Sequence, residues 1–304
     1  MKDVIIIGAG PAGMGAAIYA QRYGMKATVV DGKTGGTMTE NPEIENYPGL
    51  LRKSGYEIGQ LMMEHAESLG AEFLPEMATD IAVNPDRTFT VKTDWGKQLQ
   101  AKTVLVATGL KKRKLGAVNE DKFAGRGVSY CATCDGAFFK GKTVAVVGGS
   151  DSAGVAAFIL AEFADKVYII YRRGKFFRMN ATYVKKVNKN PKIEVIFNDE
   201  VAEVNGRDTV ESLKLKSGRV LEAQGLFIEI GRSPYLPFNV EGFQIETDER
   251  GFIKVGPDQA TNVPGLFAAG DITTASNGMH QIVTAVAEGA VAAASAHKYL
   301  LEGD

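Results

Sequence analysis

The two cysteines of this 304-residue chain, Cys131 and Cys134, are separated by only two residues. A Cys-x-x-Cys pair can close a small disulfide ring, favour the thiolate form of one sulfur, and exchange electrons with another disulfide through a mixed disulfide. Asp135 follows directly, and its carboxyl group could carry a proton to or from the sulfurs. We therefore predict that Cys131, Cys134 and Asp135 form a redox-active catalytic group.

Two structural roles for the cysteine pair compete with redox chemistry. A structural zinc ion needs four Cys or His ligands, but the chain adds only His65, His280 and His297, which are far apart in sequence. A structural disulfide that closes so small a ring removes little entropy from the unfolded chain. We therefore favour the redox role and predict no metal site.

Composition excludes several other classes of protein. The 35 basic and 36 acidic residues give a formal net charge of −1, so we predict no nucleic-acid and no membrane partner. A strand-like run begins at Val4, which leaves no room for a signal peptide. The apolar stretch 282–296 is interrupted by Glu288 and is too short to span a bilayer. Because both cysteines lie in one redox-type motif, we expect a cytoplasmic protein. The length of the chain predicts about two domains.

The first 31 residues have the pattern of a dinucleotide-binding unit. An apolar run at 4–7 is followed by a glycine-rich turn at 8–13, a helical pattern at 14–23 and a second strand at 26–30, and Asp31 comes next. In such units the glycines allow a tight turn, close approach to a pyrophosphate and close helix packing, and the acid binds a ribose hydroxyl. The predicted contacts are Gly8, Gly10, Pro11, Ala12, Gly13 and Asp31.

Two further segments allow more than one interpretation. The loop at 35–49 is rich in small and polar residues, so it is either a surface connection or a cover over a ligand. A buried-strand pattern near the C-terminus ends in Gly270 and Asp271, and this acid either caps a helix or binds a ligand. The helical pattern at 279–301 closes the chain.

The dinucleotide pattern occurs a second time, with changes that affect chemistry. A strand at 143–147 leads into a Gly-Gly-Ser-Asp-Ser-Ala turn at 148–153, a helix at 154–163 and a strand at 166–170. Tyr171 then stands where an acid is expected, and arginines follow, which suit the 2′-phosphate of NADP. The alternative interpretation is that these arginines form a surface cluster at a nucleotide site that is no longer used. The predicted nucleotide contacts are Gly149, Ser150, Asp151, Ser152, Arg172, Arg173 and Arg178.

Taken in order, these motifs resemble those of the low-molecular-weight thioredoxin reductases, of the flavin disulfide reductase class, over nearly the whole chain. The motifs that carry the resemblance are the turn at 8–13, Glu-Asn-Tyr-Pro-Gly at 45–49, Ala-Thr-Gly at 107–109, Cys-Ala-Thr-Cys-Asp at 131–135, and 265–271 with Gln281. The resemblance implies an α/β fold with two Rossmann-like dinucleotide-binding domains, the second inserted into the first.

The same resemblance assigns cofactors and partners. It implies a discontinuous FAD-binding domain at 1–112 and 242–304, and an NAD(P)H-binding domain at 113–241 that carries the cysteine pair. It also implies a homodimer that reduces thioredoxin or a thioredoxin-like protein. Besides the residues of the first turn, the FAD contacts implied by the resemblance are Gly35, Gly36, Thr39, Asn46, Thr108, Gly109, Gly270, Asp271, Gln281 and Ile282.

We therefore expect electrons to pass from NADPH to FAD, then to the Cys131–Cys134 disulfide and on to thioredoxin. This route requires the domains to rotate about linkers near 111–118 and 231–242. Ser150 replaces a glycine of the family pattern, and Arg178 lies one position late in the His-Arg-Arg-x-x-x-Arg pattern. Two alternatives stay open: ferredoxin or a reduced deazaflavin supplies the electrons, or the protein is a flavin-binding redox sensor without turnover.

Overall fold

The computed structural model describes residues 1–32, 35–41 and 43–302. The chain forms two compact units, one built from Met1–Lys111 and Ser233–Asp304 and the other from Lys112–Arg232. The second unit is thus inserted in sequence between the two parts of the first. Where the chain leaves and re-enters the first unit, the segments β7 and β16 form a two-stranded sheet.

The regular elements follow the strand and helix patterns of the sequence. In chain order the strands are β1 (Lys2–Ile7), β2 (Ala27–Val30), β3 (Glu72–Leu74), β4 (Ala78–Val83), β5 (Phe89–Thr93), β6 (Gln98–Val106), β7 (Leu110–Lys112), β8 (Val128–Ser129), β9 (Thr143–Val147), β10 (Lys166–Tyr171), β11 (Ile193–Phe197), β12 (Val201–Asn205), β13 (Ser212–Leu215), β14 (Val220–Glu222), β15 (Gly225–Ile228), β16 (Arg232–Pro234), β17 (Asn239–Glu241) and β18 (Leu266–Ala268). The α-helices are α1 (Pro11–Arg22), α2 (Gly55–Ser68), α3 (Ala132–Asp135), α4 (Asp151–Phe163), α5 (Ala181–Lys189) and α6 (Ile282–Glu302). Short 3₁₀ helices span Gly36–Glu40, Gly136–Phe139 and Ala275–Gly278.

The prediction places the return to the first domain at 241–242, whereas the compact first unit resumes at 232–233. The reason is strand pairing: β17 runs parallel to β4, with Asn239 opposite Asp80. In addition, the Tyr235 N–H donates to the Gly109 carbonyl at 3.1 Å. The first crossing lies at 111–112, one position before the predicted boundary at 112–113.

A mixed sheet forms the centre of the first unit. Its strand order is β17-β4-β5-β6-β1-β2-β3, and β18 also pairs with β6. The pairs around β1 are parallel, whereas β4, β5 and β6 pair antiparallel. Every residue of β2 and the four residues at the end of β1 are buried, as the apolar run at 4–7 and the β-branched residues of β2 predict. Alternate residues of these strands therefore pack on opposite faces, one of which is covered by α1 and α6.

The second unit has a five-stranded parallel sheet in the order β11-β10-β9-β15-β8. The helix α4 packs on one face against Val146 and Ile169, while a three-stranded antiparallel sheet of β12, β13 and β14 contributes to the other core. Each unit thus has the strand, glycine turn, helix, strand arrangement that places a helix N-terminus at the carboxyl end of a parallel sheet. Across the described ranges, no helix is long and apolar enough to cross a membrane.

Candidate active site

The glycine turn of the first unit contains two glycines that the protein's own packing requires. Gly8 has φ of +114°, and a Cβ atom there would lie 2.4 Å from the Ala107 carbonyl oxygen. A Cβ atom on Gly13 would lie 1.8 Å from the carbonyl oxygen of Gly8. Both positions therefore exclude any side chain, because the helix and strand approach too closely.

Gly10 is different, because the protein leaves room for a side chain there. The nearest atom to a Cβ on Gly10 would be the Gly36 Cα, at 4.0 Å. Its φ of −79° and ψ of −176° are open to any residue. The surrounding protein thus does not explain a glycine at this position, whereas close approach of a pyrophosphate to the backbone does.

The start of α1 is suited to an anion. Gly10 is the N-cap and provides no side-chain hydrogen bond, Pro11 begins the helix, and the first turn contains no acidic residue. The unpaired N–H groups and the helix dipole at such an end favour phosphate. Asp31 follows β2, and its Oδ2 accepts a hydrogen bond from the Ala9 N–H at 2.5 Å. This contact places a carboxylate beside the turn, where a ribose hydroxyl would bind.

Segments that are distant in sequence converge on this turn. The Gly35 N–H donates to the Ala9 carbonyl at 2.8 Å, and Gly36 lies against Gly10. The Thr39 hydroxyl donates to the Gly36 carbonyl at 2.8 Å, which closes the 3₁₀ turn. The predicted contacts of the 35–39 segment therefore lie beside the glycine turn.

The C-terminal part of the chain reaches the same site. The Asn46 side-chain amide donates to the Gln281 Oε1 at 2.8 Å across a separation of 235 residues, directly before Ile282, where α6 begins. Gly270 lies against Ala12 of α1, since a Cβ on Gly270 would lie 2.8 Å from the Ala12 Cβ. Asp271, the next residue, is half-buried. The structure thus brings Gly270 against the start of α1 and joins Asn46 to Gln281.

Thr108 and Gly109 follow β6 at the same end of the sheet, where the Ala107 carbonyl contacts Gly8. The Thr108 hydroxyl donates to the Tyr235 carbonyl at 2.5 Å, and the Gly109 carbonyl accepts from the Tyr235 N–H. Both residues therefore hold the returning segment, and the single proton of the Thr108 hydroxyl is already used within the protein.

In the second unit, the redox pair forms a disulfide bond between Cys131 and Cys134, with Cα atoms 5.3 Å apart. Cys131 is the N-cap of α3, and its Sγ accepts a hydrogen bond from the Cys134 N–H at 3.2 Å. The Cys134 side chain is exposed, while Cys131 is half-buried. Cys134 is therefore the more exposed residue of the pair, and the Cys131 sulfur is held by the helix backbone.

Asp135 is oriented by a serine that the sequence patterns did not reveal. The Ser129 hydroxyl donates to the Asp135 Oδ2 at 2.7 Å and accepts from the Cys131 N–H at 3.0 Å. Ser129 itself is buried at the end of β8. The carboxylate, the serine and the first cysteine thus form one hydrogen-bonded group.

Tyr130 is fixed by a second set of contacts. Its hydroxyl donates to the Glu120 Oε1 at 2.5 Å, and the same carboxylate accepts from the Leu115 and Gly116 N–H groups. The Lys112 ammonium donates to the Tyr130 carbonyl. Burial and the adjacent Glu120 carboxylate raise the pKa of the Tyr130 hydroxyl, so this phenol stays protonated and keeps donating at neutral pH.

The second glycine turn tolerates its serine. Ser150, the N-cap of α4, has φ of −109° and ψ of −179°, an extended conformation like that of Gly10 and open to any residue. Its hydroxyl lies 2.9 Å from the Ser152 hydroxyl. The replacement of glycine therefore adds a polar side chain at the helix N-terminus without distorting the turn.

The arginine segment lies beside this turn. Arg178 forms a parallel β-bridge with Ser150, and the Asp151 Oδ1 accepts from the Asn180 N–H at 2.6 Å. Arg172, Arg173 and Arg178 are exposed. Within the part of the chain that the structure describes, none of the three guanidinium groups forms an ion pair. These cations are therefore available to an anionic ligand.

Comparisons with known proteins agree with this geometry. A family model described as pyridine nucleotide-disulphide oxidoreductase matches residues 2–289. The chain is 39% identical to a thioredoxin reductase of Listeria innocua over 311 residues, which covers 99% of this chain and 94% of that protein. The chain belongs to the low-molecular-weight thioredoxin reductases.

Solved structures of this family resemble the chain over its length. A crystal structure of Lactococcus lactis thioredoxin reductase has a TM-score of 0.88 at 38% identity, covering 99% of this chain and 100% of that one. The thioredoxin reductase of T. acidophilum has a TM-score of 0.85 at 34% identity and covers 99% of both chains.

Several residues that position the reductase site carried no functional signal in our sequence analysis. Glu288 of α6 is buried and accepts hydrogen bonds from the Gly270 N–H at 2.8 Å, the Thr273 hydroxyl at 3.3 Å and the Ser276 hydroxyl at 2.5 Å. Gly289, next in the chain, lets α6 approach the Ala12 carbonyl. The signal available for Glu288 was an acid inside the apolar stretch 282–296. Among the described residues, no cluster of three or more His, Cys, Asp or Glu side chains could hold a metal ion.

Proposed function

We propose that this protein is a thioredoxin-disulfide reductase that binds FAD in its first unit and passes two electrons from NADPH to thioredoxin. The observation that carries the proposal is the Cys131–Cys134 disulfide, in which Cys134 is exposed and the adjacent residue Asp135 is held by Ser129. The family membership of the chain supports the same reaction.

The first unit fits FAD. The space above Gly10, the uncapped start of α1 and the Asp31 carboxylate suit a pyrophosphate and an adenosine ribose. Asn46 and Gln281 are linked at the other end of the same site. When bound, the flavin accepts a hydride from the nucleotide and gives the electron pair to the disulfide.

Reduction of the disulfide breaks one S–S bond and takes up two electrons and two protons. In this proposal Asp135 exchanges a proton with the sulfurs, and the hydrogen bond from Ser129 fixes the direction of its carboxyl group. The Cys134 N–H points to the Cys131 sulfur and would stabilise negative charge there once the bond is open.

The dithiol then reduces the protein substrate by thiol–disulfide exchange. One thiolate attacks a sulfur of the thioredoxin disulfide and forms a mixed disulfide, and the second cysteine attacks that bond. The exchange releases dithiol thioredoxin and restores the Cys131–Cys134 disulfide, so the electrons balance. Because the pair must meet both flavin and thioredoxin, we propose that the crossings at 111–112 and 232–233 act as hinges.

The second unit supplies the nucleotide contacts in this proposal. Arg172, Arg173 and Arg178 offer exposed guanidinium groups to a 2′-phosphate. The start of α4 at Asp151, behind the Ser150 N-cap, lies next to Arg178. We also propose that the active species is a homodimer, which light scattering on the FAD-loaded protein would test.

The proposal is tested by mixing the oxidised holoenzyme with NADPH under anaerobic conditions and following flavin absorbance. We expect rapid bleaching with NADPH and then steady turnover with thioredoxin. Cys134→Ser should keep bound flavin and its bleaching by NADPH while losing thioredoxin reduction. Full thioredoxin turnover by Cys134→Ser would refute the relay. If the wild type reduces thioredoxin rapidly at first but shows no steady turnover, the protein is instead a redox sensor.

A second candidate keeps the flavin and the dithiol but takes electrons from ferredoxin or a reduced deazaflavin. It is favoured by one observation: the Tyr171 ring lies against Gly149, at the turn where the nucleotide would bind. In the same anaerobic experiment, this candidate predicts that NADPH leaves the flavin oxidised while reduced ferredoxin or reduced deazaflavin bleaches it.

A further inference from the structure

Glu120 of the second unit is a buried carboxylate that takes no part in the proposed electron transfer. It is 3% exposed, and three donors surround it. The Leu115 N–H donates to Oε1 at 3.0 Å, the Gly116 N–H donates to Oε2 at 2.6 Å, and the Tyr130 hydroxyl donates to Oε1 at 2.5 Å. These bonds replace the water that a buried carboxylate loses. Glu120 therefore fastens the segment 115–116 to Tyr130.

The two parts that Glu120 joins lie beside the chain crossing and beside the disulfide. The segment 115–116 closely follows the crossing at 111–112, and Tyr130 directly precedes Cys131. Lys112, at the crossing itself, donates its ammonium group to the Tyr130 carbonyl. The linker at 112–116 thus holds Tyr130 at both ends, through Glu120 at the hydroxyl and through Lys112 at the carbonyl.

The linker is also fastened to the core of the second unit. The Val118 N–H donates to the Ala202 carbonyl, and the Val118 carbonyl accepts from the Val204 N–H, both at 2.9 Å. Leu115 and Tyr130 pack against the same apolar cluster. Because backbone bonds and side-chain packing hold it on both sides, the linker is part of the second unit and not a loose connection.

We propose that Glu120 is a positioning residue that couples the crossing at 111–112 to the Cys131–Cys134 disulfide. When the chain turns at the crossing, the Glu120 contacts carry this movement to Tyr130 and so to Cys131. The disulfide then reaches one defined position, which electron transfer requires because small misplacements of reacting atoms are costly. The inference rests on the proposed function, in which the disulfide meets the flavin after a rotation at the crossings.

This coupling predicts a selective loss when the contacts are removed. The three donors to Glu120 lie outside the nucleotide turn at 148–153, so hydride transfer from NADPH to the flavin should continue. Electron transfer from the flavin to the disulfide should slow, because the linker then no longer sets the position of Tyr130. A residue that only stabilised the fold would affect both steps.

The first test compares two electron acceptors in the FAD-loaded enzyme with NADPH as donor. Thioredoxin takes electrons through the disulfide, whereas ferricyanide takes them directly from the reduced flavin. Tyr130→Phe and Glu120→Gln should each lower kcat with thioredoxin by about tenfold and keep ferricyanide turnover within about twofold of the wild type. The matched control, Tyr168→Phe, removes a phenol hydroxyl beside the same apolar cluster and should change neither rate.

Hydrogen exchange of the oxidised holoenzyme supplies a readout that needs no electron donor. Glu120→Ala removes the acceptor of the Leu115 and Gly116 N–H groups, so the amides at 112–118 and 129–134 should exchange about tenfold faster or more. The amides of the five-stranded sheet should not change. Tyr130→Phe, which removes a single donor, guards against loss of folding in Glu120→Ala, and the melting temperatures of all variants are compared.

The inference is overturned if the folded variants keep the wild-type rate with thioredoxin, or if ferricyanide turnover falls in parallel with it. Unchanged exchange at 129–134 in folded Glu120→Ala would also count against it, because the linker would then not hold the redox segment. Failure of NADPH to bleach the wild-type flavin would instead contradict the proposed donor alone. Faster exchange at 129–134 would still support the coupling through Glu120.

Discussion

At the scale of single residues, the chemistry depends on hydroxyl and backbone groups that surround the disulfide. Ser129 contacts both Asp135 and the Cys131 N–H, so one side chain sets the direction of the carboxylate relative to the sulfurs. Asp135 and Ser129 are six residues apart, yet no periodic pattern marks the serine. Residue types with distinct chemistry, such as the cysteines, were predictable, whereas a common serine gains its role only from the three-dimensional contact.

Ser129→Ala should slow thioredoxin reduction because Asp135 then loses its donor and its fixed orientation. We expect the rate of thioredoxin reduction to decrease by about tenfold. This loss is a part of the rate enhancement of about 10² to 10⁴ that a positioned acid or base contributes. The flavin spectrum should be unchanged, and the pH profile of turnover should shift. Ser129→Thr keeps the hydroxyl and should recover most of the rate. An unchanged rate and pH profile in Ser129→Ala would show that Asp135 is oriented by other groups.

Gly10 and Gly13 form a matched pair for testing ligand binding against packing. Gly10→Ala should leave the apoprotein stable, since a Cβ there meets no atom closer than 4.0 Å, but it should weaken FAD binding by about tenfold or more because the pyrophosphate needs that space. Gly13→Ala places a Cβ 1.8 Å from the Gly8 carbonyl oxygen and should destabilise the unit by about 1–3 kcal/mol. Flavin titration and melting of the apoproteins distinguish the two effects.

At the scale of elements, α6 completes the flavin site through Glu288. Its carboxylate accepts three donors from the segment that follows β18 and so holds Gly270 and Asp271 in place. The local patterns of the sequence predicted the strand, turn and helix of each unit, because their signals lie within about thirty residues. The pairing of β17 with β4 has no such local signal, and the predicted boundary lies after β17 rather than before it.

Glu288→Ala should lower both the melting temperature and the affinity for FAD. Each buried donor left without an acceptor costs about 1–3 kcal/mol, and the turn at Gly270 loses its anchor. Glu288→Gln keeps the shape and one acceptor oxygen and should show a smaller loss of both. Equal FAD affinity in wild type and Glu288→Ala would mean that the turn is held without this carboxylate.

At the scale of the whole molecule, the stability of the first unit should depend on pH through Glu76. Burial raises the pKa of this carboxyl, but hydrogen bonds from Lys97 and Thr93 and the Lys97 charge outweigh it and hold the pKa below its ordinary value. The Lys97 ammonium lies 2.6 Å from the Glu76 Oε1. Because the pKa of Glu76 is depressed in the folded state, its carboxylate stabilises the fold at pH values above the ordinary pKa, about 4.5. This stabilisation is lost as the pH falls through the folded-state pKa.

The melting temperature should therefore fall as the solution is acidified below about pH 4.5, and Glu76→Gln should make that fall less steep. At neutral pH the same variant should melt at a lower temperature, because the buried Glu76 side chain no longer pairs its charge with Lys97. Thermal melts of both proteins from neutral to acidic pH measure the difference. Parallel curves for the two proteins would assign the acid sensitivity to other carboxylates.

The insertion of one unit into the other also determines the order in which the protein can mature on the ribosome. When residue 232 has been synthesised, the inserted unit has all of its strands, whereas the first unit still lacks β17, β18 and α6. Domains fold as units during synthesis, so the part carrying the disulfide can become compact first. The contact between Asn46 and Gln281 forms only near the end of translation. Newly made chains can therefore contain a folded thiol pair before they are able to retain a flavin.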